Sequence, residues 1–90
     1  MGMMRNRIYE LMPRPEQNRK SFYQKAYVEQ WFDNDKLLSE TLYSYGKPIM
    51  RRYPNGKVER LWNGYSQTTG RHIYAFCLMN KKEFTNLEVL

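Results

Sequence analysis

Apolar and polar residues alternate most clearly in the middle of the chain. Over residues 22–32, Phe22, Ala26, Val28 and Phe32 share one parity while Tyr23, Lys25, Tyr27, Glu29 and Trp31 share the other. That pattern predicts a strand with aromatic rings on both faces. Asp33-Asn34-Asp35-Lys36 supplies turn chemistry, because Asp and Asn side chains bond nearby backbone and tolerate left-handed conformations. A second strand is predicted over about 37–45. After the break at Gly46-Lys47-Pro48, residues 49–53 and 58–62 flank Tyr53-Pro54-Asn55-Gly56-Lys57, a hairpin signal. Proline fits the second position of a type I turn and Gly56 a left-handed one, so a three-residue loop with a glycine bulge is expected. The register then pairs Tyr53 with Lys57, Arg51 with Glu59 and Ile49 with Leu61. It leaves Met50, Arg52, Val58, Arg60 and Trp62 on the other face.

Beyond Gly64 the period changes. Ile73, Phe76, Cys77 and Asn80 recur at helical spacing, which predicts an amphipathic helix over about 68–80 capped by Ser66 or Thr68. Asn80-Lys81-Lys82 suits the negative pole at its end. Residues 1–20 hold no period and contain Pro13 and Pro15. They are expected as a basic N-terminal arm, with a short helical turn over 6–12 capped by Asn6. Residues 21–80 form the domain and 81–90 a tail whose apolar end, residues 87–90, adds an edge strand or mediates a homodimer. The expected fold is α+β: an antiparallel sheet of about four strands with one helix of the C-terminal half packed on one face.

Composition limits what such a domain does. A 90-residue chain buries only about 60–65% of its unfolded surface, yet 41% hydrophobic and 16% aromatic residues suffice for a core. Cys77 is the only cysteine, which excludes an internal disulfide and a cysteine-based zinc site and suits a reducing compartment. No run approaches the ~20 apolar residues of a membrane span, and the start lacks the apolar region of a signal peptide. A cytoplasmic protein without membrane attachment is therefore expected. The net charge of +6 is uneven: +4 over residues 1–25, −3 over 26–46, +4 over 47–62 and +1 over 63–90. Such a layout favours an anionic partner, nucleic acid or an acidic protein surface, although solubility also accounts for charge of this size.

The segment over residues 64–76, GYSQTTGRHIYAF, gathers the chemistry-bearing side chains. Read structurally, it is a capped helix start with a buried, hydrogen-bonded histidine. Read functionally, its hydroxyls, Gly70 and Arg71 suit a phosphate at a helix N-terminus, although the context and ending of a P-loop are lacking. His72 with Ser66 or Thr69 as nucleophile would need an orienting partner and an oxyanion site, to which nothing points. One histidine and scattered carboxylates specify no metal site, and no cofactor is expected.

Ser21-Phe22-Tyr23, Lys25-Ala26, Leu42-Tyr43-Ser44-Tyr45, the Asn55-Gly56 turn and Tyr65-Ser66-x-Thr68-Thr69-x-Arg71-His72-Ile73-x-x-Phe76 together resemble a set of small proteins encoded by bacteriophages and conjugative elements. The resemblance spans about residues 21–76. It implies a mobile-element origin and a bacterial cytoplasm, and it transfers no catalytic role. The chain departs from that pattern at Lys47, where threonine is usual, and in the extension over 81–90.

The expected function is a non-enzymatic accessory protein that binds nucleic acid through the basic, aromatic hairpin. Arg51, Arg52, Lys57 and Arg60 would neutralise phosphates, Tyr53 and Trp62 would stack on bases, and Arg71 would contribute from the helix start. The alternative is an inhibitor of a host defence nuclease, acting by protein binding through the same residues.

Overall fold

The structure, a computed structural model, describes residues 3–90. Met1 and Gly2 of the expected arm lie outside the described residues. Five strands, β1 (Met4–Glu10), β2 (Ala26–Asp33), β3 (Lys36–Ser44), β4 (Lys47–Arg52) and β5 (Val58–Arg60), form one antiparallel meander in chain order. Helix α1 (Gln67–Cys77) packs on one face, and a five-residue helix α2 (Lys81–Thr85) follows it. The expected α+β architecture holds, with one strand more and a second short helix.

The additional strand comes from the expected arm. Residues 4–10 pair with β2 from Met4↔Asp33 to Glu10↔Tyr27, and Leu11 extends the ladder by donating to the Ala26 carbonyl at 2.9 Å. A helical turn there is therefore replaced by an edge strand, whose exposed Arg5 and Arg7 blunt the edge against further pairing. Pro15 then opens a single 3₁₀ turn, Pro15–Gln17.

Alternation along the strands assigns one face to the core. Tyr9, Val28, Leu42, Met50 and Arg60 lie side by side across all five strands. Ala26, Val28, Leu42, Ile49 and Met50 are buried, together with Leu11, Phe22, Ile73, Phe76 and Phe84. The register shifts between Leu42 and Tyr43, so Tyr43 faces Pro48. This irregularity accommodates a proline without a backbone donor and lets the successive Ile49 and Met50 both be buried. The β4–β5 hairpin has the register read from its sequence: Arg51 faces Glu59, Tyr53 N–H donates to Lys57, and Gly56 takes φ +91°.

Ser66 caps α1 by accepting from Thr69 N–H at 3.1 Å. The helix ends at Cys77 rather than Asn80, because Leu78 turns left-handed at φ 62°. Asn80 and Glu83 then form a reciprocal capping box that starts α2. Gly70 sits inside α1 because the Tyr65 ring lies against it. A Cβ there would stand 2.0 Å from the Tyr65 hydroxyl and 2.6 Å from Cζ.

Arg52 and Arg60 carry the helix layer. Arg52 donates to Glu40 at 2.9 Å and to the Phe76 carbonyl, and its guanidinium lies 4.2 Å from the Phe76 ring centroid. Arg60, 7% exposed, covers the Phe84 ring at 4.6 Å and donates to the carbonyls of Trp62, Gly64, Thr85 and Leu87. It thereby ties the loop before α1 to the end of α2. The tail settles beside it: Val89 bridges Arg60, and Leu90 N–H donates to the Arg60 carbonyl. Among the described residues no helix is long and apolar enough to cross a membrane.

Arg60→Ala is expected to cost about 3 kcal/mol or more in urea unfolding, because it strands several buried carbonyls. Arg60→Lys should recover only part of that, since an ammonium cannot reproduce the guanidinium fork, and Lys57→Ala should stay within ~0.5 kcal/mol of the parent. Gly70→Ala should lower stability in the same assay, even though helix propensity alone favours alanine by ~1 kcal/mol.

A cationic aromatic pocket as the candidate functional site

The end of the sheet nearest the start of α1 is built from two tight turns. Tyr23 and Gln24 both have positive φ, and so do Tyr45 and Gly46 between β3 and β4. This is the backbone pattern of type I′ turns, unusual for tyrosine and glutamine. A hydrogen bond from Tyr45 N–H to the Lys25 carbonyl, 2.8 Å, joins the two turns. The turns hold both rings outward, with Tyr23 73% and Tyr45 58% exposed.

The third wall comes from the 3₁₀ turn. Gln17 donates to the Arg71 carbonyl at 3.0 Å, and the Tyr74 hydroxyl donates to Glu16 at 3.0 Å. The Arg14 guanidinium beside Glu16 holds that carboxyl down at about 2. With the turn fixed to α1, left-handed Asn18 brings the next residue, Arg19, alongside Arg71. A pocket of about 190 Å³ results, and Arg19, Lys25, Arg71, Tyr23, Tyr45 and His72 are among the residues that line it. Among the described residues none of the three cations makes a salt bridge.

His72 forms the floor. It is 2% exposed, its Nδ1 lies 2.7 Å from Ser44 Oγ, and Ser44 Oγ lies 3.0 Å from Thr69 Oγ1. Phe22 meets the ring edge-on with centroids 4.5 Å apart. Burial, reinforced by the positive charges of Arg19 and Arg71, pushes the imidazole down to about 4, so it is neutral at physiological pH. A buried, hydrogen-bonded histidine was the structural expectation, and its partner is Ser44, which Thr69 contacts in turn. No carboxylate orients it, which leaves it without the third member of a nucleophile-activating triad. Among the described residues no group of histidine, cysteine and acidic side chains is arranged to hold a metal ion.

The hairpin residues expected to meet phosphates are dispersed and largely engaged. Arg60 is sealed inside and Arg52 is bound to Glu40 and Phe76, because both alternate onto the covered face. These two expectations are corrected. Arg51, on the open face, donates to Thr41 and pairs with Glu59 at 3.7 Å. Glu59 also accepts from the Tyr53 hydroxyl at 2.6 Å and lies 4.0 Å from Lys57. Trp62 is half-buried with Lys47 above its ring at 5.2 Å. Only Arg71 reaches the pocket. Arg19, Lys25, Tyr23 and Tyr45 were missed, since the 19–25 segment meets Tyr45 and Arg71 only across the fold and shares no local signal with them. The larger groove at the opposite end, about 410 Å³, is lined by Leu37, Leu38 and Tyr53 with two lysines, Lys36 and Lys57, of which Lys57 lies 4.0 Å from Glu59.

The depressed His72 sets a pH dependence with a definite sign. The unfolded ring binds a proton near 6.5 and the folded ring only near 4, so stability should fall as pH drops through that window. Glu16, lowered from 4.5 to about 2, contributes below that interval. Urea unfolding at pH 7 and pH 5 should therefore show the loss, and a His72→Gln variant should lack it.

No curated protein and no solved structure matches the chain. Residues 9–88 match a described family whose function is unknown, DUF8033. That match takes in β2 to α2, the pocket and most of the tail, and the chain accordingly belongs to the DUF8033 family.

Proposed function

We propose that the protein is a small non-enzymatic module that binds single-stranded nucleic acid through the rim of the pocket. The observation that carries this reading is the convergence of Arg19, Lys25 and Arg71, without carboxylate partners among the described residues, on the exposed rings of Tyr23 and Tyr45. Cations placed this way release counterions from phosphates, and rings held outward stack on unpaired bases whatever their sequence. Lys20, exposed beside Arg19, extends the positive track. The resemblance to proteins of bacteriophages and conjugative elements accords with an accessory role of this kind in a bacterial cytoplasm.

A second reading, inhibition of a host defence nuclease by protein binding, is favoured by the uncovered sheet face. There Ile8, Tyr27 and Tyr43 border a shallow groove of about 330 Å³, and Trp31 is exposed on the same face. Glu29 accepts from Asn6 and Tyr43, while Glu59 accepts from Tyr53 and lies near both Arg51 and Lys57. A charge-balanced aromatic surface suits a protein better than a phosphate chain.

Fluorescence anisotropy with a labelled single-stranded oligonucleotide tests the first reading. Three phosphate contacts give a slope of about −2 in log K against log salt, at ~0.7 per contact. Arg71→Ala should weaken binding and flatten the slope by ~0.7, whereas Arg51→Ala and Lys57→Ala should leave both unchanged. A folded protein that binds no oligonucleotide at about 50 mM salt would overturn the reading in favour of the open face.

A further inference from the structure

The pocket has a floor as well as a rim. Its volume, about 190 Å³, is below the ~300–1,000 Å³ usual for drug-sized ligands. It admits one compact polar group. Two rings, Phe22 and Tyr45, fix the His72 imidazole in place. The Nδ1 side is taken by Ser44, and His72 is itself among the residues that line the pocket.

The proton on that ring follows from its partners. A neutral imidazole has one N–H. When the Ser44 hydroxyl donates to Nδ1, the proton sits on Nε2, the ring nitrogen that Ser44 leaves free, and Thr69 Oγ1 lies 3.0 Å behind Ser44 Oγ. Every charged group lining the space is a cation: Arg19 from the loop after the 3₁₀ turn, Lys25 from the turn before β2, and Arg71 from α1. Thr68 adds a hydroxyl from the first turn of α1. No carboxylate lines it.

Three cations and a neutral donor around a closed floor match a particular anion. A phosphate monoester carries about −1.5 to −2 at pH 7 and three terminal oxygens, whereas a backbone diester carries a single charge and must leave on two sides. We propose that this pocket is a phosphomonoester site, in which Arg19, Lys25 and Arg71 neutralise a terminal phosphate and His72 donates to it from Nε2. The inference rests on the nucleic-acid reading for its ligand's origin, as the phosphorylated end of a strand. The site chemistry is the same for a small phosphomonoester.

His72 is the only histidine in the chain, so its ring nitrogens report on the pocket without ambiguity. Two measurements separate this inference from the preceding one. The first is a titration of ¹⁵N-histidine-labelled protein with inorganic phosphate. It should move His72 toward the Nε2–H tautomer and raise its apparent pKa, because the anion offsets Arg19 and Arg71. The second compares an oligonucleotide carrying a 5′-phosphate with its 5′-hydroxyl counterpart. The phosphorylated strand should bind on the order of tenfold tighter, and Arg71→Gln should bring the ratio to about one. Equal binding of the two strands with no His72 response overturns the inference while leaving nucleic-acid binding intact. A His72 response with no binding of either strand supports the site for small phosphomonoesters and removes the nucleic-acid reading. No response in either measurement overturns both.

Discussion

The structure depends on a geometric constraint in the β4–β5 hairpin: alternation puts Arg52 and Arg60 on the same face as Met50. Met50 is fully buried and bonded across to Leu42 and Arg60, so that face must be covered. Two guanidinium groups are then taken under the helix layer, where an unpartnered charge would be prohibitive. Each is matched by donors meeting acceptors and by an aromatic face, Phe76 for Arg52 and Phe84 for Arg60. Because the acceptors are backbone carbonyls of α1, of the 62–64 loop and of the end of α2, satisfying the charges also fixes where those segments lie. The Ser66 cap and the descent of His72, Ile73 and Phe76 onto the sheet follow from that placement.

The same constraint redistributes the charge of the molecule. Of the five cations over residues 47–62, Arg60 is buried, Arg52 and Arg51 face carboxylates, Lys57 lies near Glu59, and Lys47 rests over Trp62. Most of the cations in this segment are therefore engaged by neighbours in the fold, although only Glu40 and Glu59 among those neighbours carry negative charge. The loop over residues 18–25 and the start of α1 keep theirs, since no acidic side chain lines their shared pocket. Surface potential here is set by which cations the packing leaves unmatched, and counting by segment does not reveal it.

What was legible in the sequence was local. The 53–57 loop combines Pro54, Asn55 and Gly56, so its register followed from turn chemistry, and the helical stripe marked the start of α1 with Ser66 or Thr68 as cap, of which Ser66 is the one used. The edge strand β1 was not legible, because Met4, Asn6, Ile8 and Glu10 look outward and only Tyr9 among its inward residues packs on the core. Its strand character comes from the partner β2. Asn80 and Glu83 spelled a capping box, but the lysines between them also fit a helix end, and Leu78 in the left-handed region decided between the two. The pocket was the least legible feature. Arg19 and Arg71 meet only because Gln17 and Glu16 bond to the Arg71 carbonyl and to Tyr74, contacts that span the whole domain.

An array of like charges around a neutral histidine is a costly arrangement for a protein of this size. Tyr23 and Gln24 add to the cost by occupying left-handed backbone, at about 1–2 kcal/mol each. A single carboxylate in the pocket would relieve the repulsion, and the fold supplies none there although Glu10 is close enough to accept from Gln24 N–H at 3.1 Å. The repulsion among Arg19, Lys25 and Arg71 has a remedy under the proposal above, an external anion in the pocket. Anything that binds only the folded chain adds its binding free energy to stability, so an anion held there would offset the repulsion, while the left-handed turn keeps its own cost. Under the proposed phosphate site, recognition and stability would be coupled through Arg19, Lys25 and Arg71.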